Sequence, residues 1–95
     1  MSLHLSLKKM VIKECAVRGV KPEDIPDTDP VIGGTGLVQL DSLDAVEIVT
    51  CLERHLGLKA EGMPLKNIFR SYNELAAYIE QNAPPEKIES FARQY

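Results

Sequence analysis

The chain has 95 residues, 44% of them hydrophobic and 26% charged, with a net charge of -3. That is enough for one small folded domain with a single core and not for two. No apolar run approaches a membrane span, and Lys8 and Lys9 follow the first apolar residues instead of preceding them, so the expectation is a cytoplasmic protein without a secretory leader.

The charge is unevenly spread. Lys8, Lys9, Lys13 and Arg18 outweigh Glu14 in the first twenty residues, residues 21–62 are strongly acidic, and the remainder cancels. Phosphate binding along nucleic acid needs clustered Lys and Arg, so an acidic middle argues against that class of ligand. It suits basic protein partners, whose encounter it would accelerate at low salt. Cys15 and Cys51 lie in separate helical patterns with no Cys-x-x-Cys, and are expected to be reduced, half-buried thiols.

In chain order, residues 3–17 read as a helix with Leu7, Met10, Val11 and Val17 near one stripe and Ile12, Cys15 and Ala16 on another. Gly19 is its expected stop, and Lys8, Lys9 and Lys13 are expected on a solvated face. The connection over residues 20–40 contains Pro22, Pro26, Pro30, Gly33, Gly34 and Gly36, which no regular helix tolerates. Its apolar residues, Ile25, Val31, Ile32, Leu37, Val38 and Leu40, should pin it to the core, and Pro22 can lead a single helical turn. Gly33-Gly34-Thr35-Gly36 lacks the Gly-Lys-Ser/Thr and the preceding strand of a nucleotide loop and is read as a flexible loop.

Asp41 is the expected N-cap of the next helix, with Asp44 three residues on and Ser42 at the first helical position, pointing outward. Ala45, Ile48, Val49, Leu52 and Leu56 form its core stripe. The opposite side groups Leu43, Val46, Glu47, Thr50, Glu53 and Arg54, two aliphatics among charges, which burial of the first face does not explain. After Gly57 comes a short apolar group, Leu65, Ile68 and Phe69, fit for a brief helix. Ser71 and Glu74 have capping-box spacing before Tyr72, Leu75, Ala76 and Ile79. Pro84-Pro85 ends that helix, and Ile88, Phe91, Ala92 and Tyr95 keep helical spacing in a tail expected to dock partially.

The segment Leu40-Asp41-Ser42-Leu43-Asp44-Ala45-Val46-Glu47-Ile48-Val49, continuing through Leu52, Glu53, Leu56 and Gly57, closely resembles the region around the modified serine of acyl carrier proteins. The resemblance implies an all-α fold, a four-helix bundle of three longer helices and one short one with a long loop after the first. Residues 1–83 would form the bundle, with 84–95 as a C-terminal extension that is an extra helix if ordered. It also implies a covalent 4'-phosphopantetheine arm on Ser42, holding acyl groups as thioesters.

The implied partners are a phosphopantetheinyl transferase and acyl-loading, elongating or transferring enzymes, met by a monomer. Asp41 and Glu47 would help them grip the helix, and Leu43 and Val46 would give apolar contact. With Asp44, Thr50, Glu53 and Arg54 these make up the candidate partner-binding face. A phosphate attached there would be favoured by the N–H groups and dipole of the helix start and opposed by the charges of Asp41 and Asp44, which solvent screens.

No catalytic residue and no metal ligand is assigned: only His4 and His55 are available to Ser42, and His55 is more than three turns along the same helix. Peptidyl carriers share the fold and arm, but their serine usually follows a Gly-Gly-His or Gly-Gly-Asp type sequence, whereas Leu40-Asp41 precedes it here. A helical adaptor in which Ser42 is only a cap is the reading from another class. Arg54, His55, Thr50, the long loop and the basic first helix depart from the usual pattern and hint at a dedicated carrier for one pathway, such as an envelope-lipid or secondary-metabolite route, instead of the general fatty-acid carrier.

Overall fold

Helix α1, Leu3–Glu14, buries Leu7, Met10 and Val11 completely. The structure, a computed structural model, describes residues 3–33 and 38–95. The helix stops well before Gly19. Its end is a wrap in which the Val17 amide donates to the Ile12 carbonyl at 3.0 Å and the Ala16 amide to that of Lys13 at 3.4 Å, with Ala16 in the left-handed region at φ 53°. This is the double hydrogen bond of a Schellman C-cap, with alanine where glycine is usual.

The expected solvated lysine face also needs correction. Lys8 is buried, with its Nζ 2.5 Å from Asp27 Oδ1 and 5.8 Å from the centre of the Tyr72 ring. Lys9 is half-buried, and exposed Lys13 lies over the Tyr95 ring.

The long connection is pinned as its apolar residues predict. Ile25, Val31, Val38 and Leu40 are buried, and Pro22–Asp24 forms one 3-10 turn. Three backbone bonds fasten it: Asn73 N–H to Asp27 O at 3.0 Å, Val31 N–H to Phe69 O at 3.0 Å, and Gly33 N–H to Leu40 O at 2.8 Å. The expected pinning by Leu37 and the looseness of Gly34, Thr35 and Gly36 lie outside the described residues.

Helix α2, Ser42–Leu56, is closed at both ends by its own sequence. Asp41 Oδ1 accepts from the Leu43 and Asp44 amides while Asp44 Oδ2 accepts from the Asp41 amide, a complete capping box. At the other end Gly57 takes φ 69° and donates to Glu53 O. Ile48, Cys51, Leu52 and Leu56 are fully buried, whereas Ala45 and Val49 of the predicted stripe are half-buried. The reason is tertiary: α2 packs on α1 and on the last helix, and its Ala45–Val49 edge is left facing a groove.

Helix α3, Leu65–Ile68, is the short one; it packs on α4, Tyr72–Asn82, burying Ile68 and Phe69 and leaving Leu65 42% exposed. Ser71 Oγ accepts from the Glu74 amide at 3.1 Å, the serine half of the predicted box. The tail is a full helix, α5, Pro85–Gln94, with Pro84 at its N-cap and Pro85 in its first turn, where a missing N–H costs nothing. Phe91 is 1% exposed, α5 touches α1, α2 and α4, and the Tyr95 hydroxyl donates to Glu14 Oε2 at 2.7 Å. Every described regular element is helical.

Candidate functional site

Ser42 is exposed at the first position of α2. Its neighbours are held stiffly, because the capping box fixes the backbone on both sides of it. The Leu43 and Asp44 amides of the helix start donate to Asp41. The positive helix end is therefore partly satisfied from within, and an anion on Ser42 has the Asp41 and Asp44 carboxylates as neighbours on the first turn.

Two apolar grooves run from Ser42, each of about 440 Å³, and both are bounded by Ala45 and Leu65. One passes toward α3 between Ile32, Lys66, Phe69 and Arg70. The other runs along α2 past Val46, Val49, Thr50 and Glu53 to Ala60. They lie where α3, packed on α4, meets the start of α2.

The residues of the candidate partner-binding face are largely exposed. Leu43 is 78% and Val46 64% exposed, and Asp41, Glu47, Thr50, Glu53 and Arg54 are exposed around them, with Asp44 half-buried. Besides Asp41 and Asp44 of the capping box, two of them also have local structural duties. Thr50 Oγ1 donates to Val46 O at 2.9 Å, and Glu53 Oε2 accepts from the Ala60 amide at 3.2 Å, securing the strap after α2. Sequence reasoning left out Leu65, Lys66 and Arg70. The mark was present: Leu65 precedes Ile68 and Phe69 at helical spacing, and Lys66 and Arg70 are four residues apart, in and just after that short helix.

His55 does not reach the serine. His55 lies thirteen residues along α2, about 20 Å at the helical rise. It instead sits edge-on to Tyr95, with Nε2 3.3 Å from the tyrosine hydroxyl, and His4 Nε2 is 2.8 Å from Asn73 Oδ1.

Cys15 is half-buried as expected, but Cys51 is fully buried. Desolvation first, then the charges of Asp44 and Glu47, push the Cys15 thiol up to about 12, and burial followed by Glu14 raises Cys51. Glu14, Glu47 and Cys51 have their donor atoms within 4.8 Å of one another, and Glu14 is already engaged by Tyr95.

A scan of known families matches residues 15–79, more than half of the chain, to the family described as the phosphopantetheine attachment site. The chain belongs to that family. No curated protein and no solved structure matches the carrier. Its cofactor is a covalently attached 4'-phosphopantetheine, and carrier domains, not catalytic themselves, work with a phosphopantetheinyl transferase and acyl-handling enzymes.

The residues of the carrier fit such a group. Of the two serines in the matched segment, Ser42 and Ser71, the second is half-buried and its Oγ is occupied by the Glu74 amide, whereas the first presents an exposed hydroxyl at the meeting of two apolar grooves. Among the described residues no helix is long and apolar enough to cross a membrane.

Proposed function

We propose that the protein is an acyl carrier whose arm is attached to Ser42 and which presents acyl groups to enzymes of fatty-acid, envelope-lipid or secondary-metabolite synthesis, as a cytoplasmic monomer dedicated to one pathway. The observation that carries this reading is the exposed Ser42 hydroxyl on a rigidly capped first turn, flanked by Leu43 and Val46, which are also exposed. When bound, the group supplies a terminal thiol that takes acyl groups as thioesters.

The chain's own residues do three things in this scheme. Asp41 and Asp44 hold the first turn so that the serine oxygen is offered in one orientation to a transferase. Leu43 and Val46 give that enzyme an apolar contact, the kind of exposed patch that marks a protein interface. Glu47 and Glu53 surround it with negative charge that speeds encounter with a basic partner. Bases and nucleophiles come from the partner enzymes, and the chain itself performs no bond-making step. Leu40-Asp41 before the serine supports an acyl over an aminoacyl cargo.

The test is the intact mass of the protein after incubation with coenzyme A, magnesium and a broad-specificity phosphopantetheinyl transferase. One phosphopantetheinyl addition is expected on the parent and none on Ser42→Ala. Addition to the mutant would move the attachment elsewhere, and no addition to folded, unmodified parent would leave Ser42 as a helix cap on an adaptor.

A further inference from the structure

We infer that Lys66 and Arg70 hold the phosphodiester of the arm and so direct the arm away from Ser42 over the α3-side groove; this rests on attachment at Ser42. Volume does not choose between the two grooves, since each measures about 440 Å³ and both begin at Ser42. Charge does. Among the described residues, the α3-side groove is lined by two cations and no acid, whereas the groove along α2 contains Glu53 and no cation.

Lys66 and Arg70 are exposed, and among the described residues neither forms an ion pair; Arg70 Nη2 donates only to the neutral Asn67 Oδ1, at 3.3 Å. Of the amides that a helix start would lend to an anion, those of Leu43 and Asp44 are spent on Asp41, and Asp41 and Asp44 repel a phosphodiester from their own side. A negative charge fixed at Ser42 is thus pushed by two carboxylates and drawn by two cations on the same groove. A guanidinium and an ammonium lining one groove can both address phosphate oxygens.

The experiment compares amide chemical shifts of the unmodified and phosphopantetheinylated protein at low salt. The largest changes outside α2 are expected at Lys66, Arg70 and Ile32. They should fall at least about twofold when salt is raised to about 1 M, where screening acts over about 3 Å. The double variant Lys66→Gln, Arg70→Gln should show the same loss, while Lys66→Arg with Arg70→Lys keeps the pattern.

Changes concentrated at Thr50, Glu53 and Ala60, or a pattern indifferent to both salt and the glutamine variant, would overturn the assignment while leaving attachment intact. Absence of any mass addition on Ser42 would instead overturn the attachment reading and the inference with it.

Discussion

Ala16 shows what one residue can conceal. A left-handed backbone costs an L-residue about 1–2 kcal/mol, and Ala16, exposed at φ 53°, bears that cost to close α1. Ala16→Gly should therefore raise stability by about 0.5–1 kcal/mol, part of the relief being offset by the greater freedom of glycine in the unfolded chain. For a domain of this size that is a rise of roughly 3–6 °C in Tm, read by thermal unfolding; a lower Tm would show that the methyl group contributes packing that outweighs the strain. The same residue explains why the end of the helix was misjudged. Nothing in an alanine signals a C-cap, and Gly19, three residues on, carries the signal without being the place where the hydrogen bonds turn.

Helices whose boundaries rest on local chemistry were legible. Asp41 with Asp44, Ser71 with Glu74 and Gly57 all act within one turn of themselves, so their types and spacing suffice to place the starts of α2 and α4 and the end of α2. The degree of burial along α2 was less so: Ala45 and Val49 are in phase with Ile48 and Leu52, but which half of a wide stripe is covered depends on helices far away in sequence.

Helix α5 is the strongest case. Its periodicity was visible, whereas its docking depends on Glu14, His55 and Tyr95 meeting across three elements. The ring of Phe91, tilted against His55 and Tyr95, is fully within the core. Phe91→Ala should cost about 3–5 kcal/mol, a large part of the 5–15 kcal/mol typical of a whole domain. Urea unfolding would show this as a fall in the midpoint with little change in slope. An unchanged midpoint would mean that α5 stands outside the cooperative unit.

Across the molecule, the buried Lys8 joins α1 to the long connection through Asp27, and this link has a pH signature. The hydrogen bond from Lys8 holds the Asp27 carboxyl below its ordinary value of 3.8. A lowered value in the folded state means stability that is present above the ordinary value and is lost as pH falls through the lowered one. Asp27 is half-exposed, so solvent moderates the effect. Asp27→Asn should be less stable near neutrality and lose less further stability below about pH 4 than the parent. Thermal midpoints taken across that range check it, and parallel curves for the two proteins would contradict it.

The site divides along similar lines. The Ser42 face lies on one helix and could be read from its period, whereas the cations of the α3 groove come together with the serine only through the packing of α3 on α4 and the pinning of the loop at Val31. Lys8 was misplaced for the same reason, since its partner is nineteen residues away in a segment without regular structure.

The two raised thiols bear on how safely such a molecule keeps its load. Exchange of an acyl group from one sulfur to another requires the attacking sulfur to be a thiolate. With Cys15 at about 12, only about one molecule in a hundred thousand carries that thiolate at neutral pH, and Cys51 is both raised and fully enclosed. On the proposed reading of Ser42 as the attachment point, the chain's own sulfurs are thus chemically silent toward a thioester on the arm. Leakage onto the protein itself would be suppressed without excluding cysteine from the sequence.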